Sequence, residues 1–545
     1  MPFRFYFLFV FLINFSCEKK EHADLLILDA NIYTVDENFS KAGAIAVKDG
    51  KIVEVGSTDV IRAKYESDNA LELEGKTVVP GFIDSHCHFY NLGFGLNSVN
   101  LVGTKSLDEV VERVVSFQKE HYKSIIYGRG WDQNDWEDKE FPTNEKLNEL
   151  FPDTPIALKR IDGHAALFNE AAIRLANITK DTKINGGEIL FNGDRPTGVF
   201  IDNAQGLVYS KFPSGDVSEA ISSLMDAQDM CLSYGLTTVD DAGLSPFEIG
   251  IIDSLQKVGE LKIRVYAMVS ANRKNLDYYL ERGPYKTDKL NVRSFKAYGD
   301  GALGSRGALL REPYSDLPGH YGLAVTSLDT LTYIANRLGN SEFQMNTHAI
   351  GDSANHALLN IYKEALEGSE DRRWRIEHAQ IVSPEDFKEF NDIIPSVQPT
   401  HATSDMYWAE DRVGSERIKG AYANKYLLNA NGVVALGTDF PVEQVNPFLT
   451  FYAAVARQDL ENYPDGGFQM ENALTREETL KGMTIWGAFV NFEETEKGSI
   501  EVGKFADFIV LDKNIMEVPI DEVPSMEVDK TFIAGELVYE LPRKE

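Results

Sequence analysis

"VVPGFIDSHCHFYNLG", residues 78–93, sets two histidines one residue apart directly behind an apolar run that contains Pro80 and Gly81. In an extended strand residues i and i+2 project to the same face, about 6.6 Å apart. At a strand end His86 and His88 would therefore converge on one point while Cys87 faces away. The other reading makes them two polar residues in a loop, and the pair alone does not decide between the two. The decision rests on whether the rest of the chain supplies partners in the right order.

Working outward from this stretch, "TVVPGFIDSH" is the first of eight strand-like runs. The others are "GLTTVDDAG", "KIRVYAMVS", "VRSFKAYGDG", "FQMNTHAIGD", "WRIEHAQ", "IIPSVQPTH" and "GVVALGTDFP". Helical stretches such as "ANHALLNIYKEALEG" and "PEDFKEFNDI" separate them. Such alternation favours βα units and a parallel sheet. Eight strands of this kind match a (β/α)8 TIM-like barrel, an α/β fold whose site lies at the C-terminal ends of the strands. Those ends carry His348 in "NTHAIGD", His378 in "RIEHAQ" and Asp439 in "LGTDFPV", while Lys296 lies on the fourth run. The chain has 10 histidines, and core packing does not account for four of them at strand ends with an aspartate closing the eighth. Imidazole and carboxylate together suit zinc or a similar divalent first-row ion. A buried lysine is costly unless paired or neutralised. Lys296 is either carboxylated by CO₂, becoming an anionic donor able to bridge two metals, or unmodified and paired with Asp300.

The first run ends about 150 positions before the second begins. A barrel averages about 30 residues per βα unit, so an insertion at about 100–225 follows strand one and should overhang the mouth. The chain ends carry short β runs of their own: "ADLLILDANIYTVD" and "AGAIAVKDGKIVEVG" at one, "GSIEVGKFADFIVLDKN" and "VDKTFIAGELVYE" at the other. They form one small β module from residues 24–79 and 493–545, or two separate appendages, around a barrel over 80–492.

A length of 545 residues with 43% hydrophobic content supports a sizeable core. The net charge of −31 argues against a nucleic-acid partner, since an acidic surface repels phosphates. The three cysteines, Cys17, Cys87 and Cys231, give neither a disulfide framework nor a zinc-knuckle spacing. "MPFRFYFLFVFLINFSCEKKEH" has the layout of a secretory signal over residues 1–17, with Arg4, an apolar run from Phe5 to Ile13, and Ser16 before Cys17. The run is shorter than the roughly 20 residues needed to span a bilayer. A cysteine behind the apolar core resembles a bacterial lipoprotein signal. The expectation is an exported protein facing the periplasm or cell exterior, touching the membrane only through a lipid anchor on Cys17. Plain secretion and an uncleaved anchor are the alternatives.

The segments "PGFIDSHCH", "IDGHAALFN", "GDGALGSR", "THAIGDSAN", "IEHAQ", "QPTH", "GTDFPV" and "GSIEVGKFADFIVLD" jointly resemble the amidohydrolase superfamily, and within it amidohydrolase family 3, the YtcJ-like branch. The resemblance implies a metal-bearing barrel joined to a β-sandwich made from both chain ends. It implies one or two divalent ions, zinc first among them: His86, His88 and Asp439 on the more buried ion, His348 and His378 on a second, and Lys296 as a carboxylated bridge. The chemistry implied is hydrolysis of carbon–nitrogen bonds other than peptide bonds, in an amide or an N-acyl or N-formyl compound, by metal-activated water. Asp439 would accept the water's proton and pass it to the leaving nitrogen.

Other residues have a candidate role and a bland one. His401, after "SVQPT", contacts the substrate carbonyl with Asp405 orienting it, or is a structural loop histidine. His164, with Asp162 and Arg160, faces the mouth or completes a loop network. Trp131 and Trp136 in "GWDQNDWED" form an apolar wall for substrate or pack at the surface. Arg306 offers a rigid fork of donors to a carboxylate or carbonyl. Gly299, Gly301 and Gly304 serve a tight loop. Rival functions are ester, cyclic imide or carbamate hydrolysis on the same centre, or solute binding without turnover. The expected partner is a small-molecule substrate, with a homodimer as the default assembly.

Overall fold

The computed structural model describes residues 20–96, 98–212 and 217–542; the signal segment and Cys17 lie outside the described residues. Eight strands pair side by side in chain order, all parallel: β1 (Phe82–Cys87), β2 (Leu236–Leu244), β3 (Arg264–Ser270), β4 (Leu290–Tyr298), β5 (Gln344–Ala349), β6 (Arg375–His378), β7 (Ile394–Val397) and β8 (Ala435–Leu436). Nearly every position of these strands is buried, so the alternation of buried and exposed positions seen in a one-sided strand is absent. The seam between β8 and β1 is drawn together just past the strand ends. There Asp439 N donates to His86 O, and His88 N donates to Phe440 O, each at 2.8 Å. The barrel is thus nearly closed, with helices such as Leu328–Gly339 outside it, burying Leu331, Ile334, Ala335 and Leu338 on one face.

The first run differs from its sequence reading. Thr77–Pro80 belongs to another sheet, and only Phe82–Cys87 is β1. Gly81 is the crossing point, where an added Cβ would lie 2.3 Å from the Thr237 side chain. Thr77–Pro80 pairs antiparallel with Phe508–Leu511, which ties the two chain ends into one six-stranded sheet. A four-stranded sheet including Leu25–Leu28 and Ala44–Lys48 accompanies it. Ile27, Ile45 and Val47 pack with Val78, Phe508 and Phe532 in one core. A buried ion pair, Arg264 Nε on β3 to Asp507 Oδ2 at 2.6 Å, joins this module to the barrel.

Between β1 and β2 the insertion has its own six-stranded mixed sheet. Ile126–Trp131 and Ile156–Arg160 are parallel neighbours within it, and Ala165–Phe168 runs antiparallel to the latter. The helices Leu107–His121 and Glu170–Ala176 contribute to two separate cores, one holding Leu158 and Leu167 and the other Ala157 and Ala166. Among the described residues no helix is long and apolar enough to cross a membrane.

Candidate metal centre

Around the barrel mouth the strand ends gather imidazoles and one carboxylate in a buried volume. The ring centroids of His86 and His378 are 4.8 Å apart, those of His348 and His378 4.7 Å, and those of His86 and His88 5.7 Å. Ligand atoms of His86, His88 and Asp439 lie within 4.8 Å of one another, and so do those of His378, His401 and Asp439. The second group differs from the one the resemblance implies, because it contains His401. His348 stands beside it, its Nε2 3.6 Å from Asp300 Oδ1 and without a hydrogen bond.

The second nitrogen of each ring fixes where the lone pairs point. His88 Nδ1 donates to the Ala242 carbonyl at 3.0 Å, and His378 Nδ1 donates to Gln398 Oε1 at 2.7 Å. His86 Nδ1 faces Glu377 Oε2 at 2.5 Å. Each ring is left with an Nε2 lone pair on the cavity side. His88 Nε2 then meets Asp439 Oδ1, another acceptor, at 3.2 Å, and that oxygen has no hydrogen bond although it is buried. Two acceptors held so close repel unless a cation lies between them. The residues present therefore fit a divalent ion with nitrogen and oxygen donors. Electrostatics agree. Burial, reinforced by the His164 and Lys296 charges, holds His348 well below the usual imidazole range, and burial with His348 does the same for His378. Burial would raise Asp439, but His401, His88 and the other imidazoles outweigh it and hold the carboxyl well below its ordinary value.

Local backbone geometry explains how one strand supplies two such groups. Neighbouring strand residues face opposite ways, yet Glu377 and His378 both reach His86. His378 has φ +73° and Ala379 φ +40°, so the chain leaves β6 through left-handed conformations that swing His378 back over the barrel. Asp439 has φ +62° for the same purpose past β8. Non-glycine residues there cost about 1–3 kcal/mol each and persist where the surroundings over-determine them. Glu377 is a site residue that the sequence reading missed.

Lys296 is buried, and its Nζ donates to His86 Nε2 at 2.9 Å. The alternative pairing with Asp300 is absent: Asp300 instead accepts the backbone N–H groups of Leu309, Ile350 and Gly351. Burial pushes the Lys296 ammonium down to about 8, opposed by the Glu377 and Asp439 charges.

A cavity of about 410 Å³ opens above these groups, lined by His88, Lys296, His348, His378, His401 and Asp439 below and by Arg160, Asp162 and His164 from the insertion. The insertion does overhang the mouth. His164 Nδ1 pairs with Asp202 Oδ1 at 2.6 Å, and its ring is 4.9 Å from that of His348. His401 lies between two carboxylates, Asp439 at 3.3 Å and Glu443 at 3.2 Å. Burial lowers its pKa, but the two carboxylates outweigh that and hold it well above the imidazole range. Asp405 does not orient it; Asp405 Oδ2 accepts from Gln380 Nε2 and the Tyr422 hydroxyl.

Two expectations fail on burial and pairing. Trp131 is fully buried in the insertion core, donating Nε1–H to Leu158 O at 2.7 Å, so it offers no wall to a substrate. Trp136 packs beside it. Arg306 pairs with Asp316 at 2.9 Å and is not part of the cavity lining. The guanidinium at the mouth is that of Arg160, held by Asp132 and Asp162.

Known proteins resemble this chain over nearly its whole length. A profile described as "Amidohydrolase family" matches residues 70–539, and one described as "Imidazolonepropionase-like composite domain, bacteria" matches residues 43–65. Protein LONG AFTER FAR-RED 3 of Arabidopsis thaliana is 34% identical, over 95% of this chain and 92% of its own. The N-substituted formamide deformylase of Arthrobacter pascens is 27% identical, over 95% of this chain and 98% of its own. The crystal structure of an uncharacterized metal-dependent hydrolase from Pyrococcus horikoshii OT3, at 29% identity, matches with a TM-score of 0.75, covering 91% of this chain and 99% of that one.

Proposed function

Because the chain belongs to the amidohydrolase family and is a metal-dependent hydrolase, we propose that it hydrolyses carbon–nitrogen bonds other than peptide bonds, in amides of the N-acyl or N-formyl kind. The observation that carries this reading is the unbonded Asp439 Oδ1 facing the His88 lone pair at 3.2 Å beside a cluster of imidazoles. The relative named as an N-substituted formamide deformylase supports the choice of bond.

His86, His88 and Asp439 would hold one ion, zinc by their donor types, with His378 and either His348 or His401 available to a second. A bound ion supplies Lewis acidity toward a carbonyl oxygen and makes water acidic enough to deprotonate near neutral pH. Asp439 Oδ2, the oxygen that faces His401 at 3.3 Å, would take a proton from the attacking water. The water oxygen bonds to the acyl carbon, the carbon–nitrogen bond breaks, and Asp439 returns the proton to the leaving nitrogen. The products are a carboxylate and an amine. His401, whose two nitrogens face Asp439 Oδ2 and Glu443 Oε1, would hold the Asp439 carboxylate in place for that exchange. Burial lowers the Lys296 ammonium to about 8, which brings its neutral, nucleophilic form within easier reach and supports carboxylation: its nitrogen bonds to CO₂ and loses a proton. Carbon NMR with labelled CO₂ tests that step, and a carbamate signal that survives Lys296→Met would contradict it.

The main test is a substrate panel of N-formyl and N-acetyl amines, esters, cyclic imides and carbamates. We expect amine release from the amides, and a loss of roughly 100-fold or more in Asp439→Asn with the fold retained. Turnover confined to esters would move the assignment to another bond. We also propose export with lipid attachment at Cys17. Palmitate labelling should disappear in Cys17→Ser, and persistence of the label would rule the anchor out.

A further inference from the structure

Beside the metal cavity lies a second one of about 280 Å³, and His88, Asp162, His164 and Tyr298 line both. Its remaining wall includes Arg129 and Lys159 from the insertion sheet, with Asn91, Asn203 and Gln205. Arg129 and Lys159 are register partners on neighbouring parallel strands, so their side chains stand on the same face. The turn at Gly163 shows how close they come. A Cβ there would lie 3.5 Å from Arg129 Nη1 and 3.9 Å from Lys159 Cδ.

Neither cation has a carboxylate partner among the described residues. Arg129 donates Nε to Pro441 O at 3.3 Å and Nη2 to Ile161 O at 2.7 Å, leaving Nη1 uncommitted. The Lys159 ammonium makes no hydrogen bond among them and stands 5.2 Å from the centre of the Tyr209 ring. The carboxylates of this cavity face elsewhere. Asp162 is bound by Arg160 at 2.5 Å, and Asp202 pairs through Oδ1 with His164 at 2.6 Å while its unbonded Oδ2 lies against Gly301 and Gly307. Like charges directly opposite each other destabilise a sheet, and burial followed by the Arg129 charge pushes Lys159 down to about 8. In a chain of net charge −31, these two adjacent basic side chains face each other with no carboxylate of the described residues within ion-pair distance, Asp439 and Asp162 acting on Arg129 only at longer range.

We propose that Arg129 and Lys159 form an anion subsite that binds a carboxylate of the substrate, making this protein a hydrolase of acidic amides. The proposal rests on the hydrolase reading and names its substrate class. One guanidinium N–H and one ammonium are two donors, which suits the two oxygens of a planar carboxylate. The amide nitrogen or acyl arm would pass between His88 and Tyr298, which border both cavities. Arg129 is also tied to the centre through Pro441, two positions after Asp439.

Binding tests the subsite without turnover. The full-length protein, treated with a chelator so that no metal competes for carboxylate, is titrated calorimetrically with benzoate, with benzamide as the neutral isostere and with inorganic phosphate. We expect saturable binding of benzoate alone, lost in Lys159→Met and in Arg129→Met. Lys159→Met should unfold at no lower a temperature than the parent, because it removes a like-charge contact and no hydrogen bond, whereas Arg129→Met also strands the Pro441 and Ile161 carbonyls and should be somewhat less stable. Equal binding of benzoate and benzamide, or benzoate binding unchanged in the variants, would overturn the subsite; preferential phosphate binding would overturn its assignment to carboxylate. With the metal restored, the kcat/KM ratio of N-formyl-leucine to N-formyl-leucinamide should fall about tenfold or more in either variant, the size expected for losing a charge-assisted hydrogen bond. Benzoate binding without hydrolysis of either compound would sink the hydrolase reading and leave the subsite standing. Hydrolysis with a ratio unchanged by the variants would do the reverse.

Discussion

At the scale of single residues, the centre depends on groups that never touch substrate. Glu377 fixes His86 through Nδ1 at 2.5 Å, and removing such a partner typically lowers metal affinity 10–100-fold. Glu377→Gln should therefore bind zinc about 10–100-fold more weakly in a chelator competition, with the fold unchanged; unchanged affinity would show that His86 is not oriented this way. The placement of His86, His88, His348, His378 and Asp439 at one end of the barrel is legible in the sequence, because each ends an apolar run. Glu377 is not. A strict two-residue period turns it away from the face its neighbour His378 uses, and the left-handed exit at His378 cannot be foreseen from "RIEHAQ". Trp131 misleads for the opposite reason: its acidic neighbours in "GWDQNDWED" suggest a surface, while the strand buries the indole and bonds it to Leu158 O.

At the scale of elements, the critical joint is the seam between β1 and β8, which positions two of the ligand-bearing segments. Gly437 lies against it. A Cβ there would come within 2.6 Å of His86 N and 2.8 Å of His86 O, backbone atoms that cannot rotate away. Gly437→Ala should cost about 1–3 kcal/mol, the usual range for overpacking, and should loosen metal binding as well. Thermal unfolding with and without zinc separates the two effects; a variant as stable as the parent would mean that the seam yields. All eight barrel strands are legible as apolar runs between helices. The break inside the first is hidden, because Val78, Val79, Phe82 and Ile83 are equally apolar on both sides of Gly81. The insertion is legible as a length excess, whereas its mixed sheet is not: Val99–Asn100 is two residues long, and pairing between distant strands leaves no local pattern.

At the scale of the whole molecule, the barrel and the module built from both chain ends meet at Arg264 and Asp507, whose side chains are 2% and 3% exposed. Burial raises the Asp507 carboxyl, but the Arg264 charge and its hydrogen bonds outweigh it, so the pKa lies below the ordinary carboxylate value. The sign follows from linkage. The pair's contribution is complete above the unfolded value of about 3.9 and is lost as pH falls through the folded value. Asp507→Asn should be destabilised by about 3–5 kcal/mol at neutral pH, since it strands a buried guanidinium. The gap to the parent should narrow as the pH drops below about 4; a gap independent of pH would refute the coupling. The joining of the termini is legible in their matching β runs, and the insertion's reach over the mouth in its attachment after β1. The second cavity with its basic pair is not, because Arg129 and Lys159 are 30 positions apart and only strand pairing makes them neighbours. The central claim is that the converging imidazoles and Asp439 hold a metal ion for hydrolysis. Elemental analysis of the full-length protein purified without chelator tests it most directly. We expect at least one equivalent of a divalent first-row ion, lost when His86 and His88 are both replaced by alanine. Less than one equivalent, with no uptake from added zinc or manganese, would contradict it.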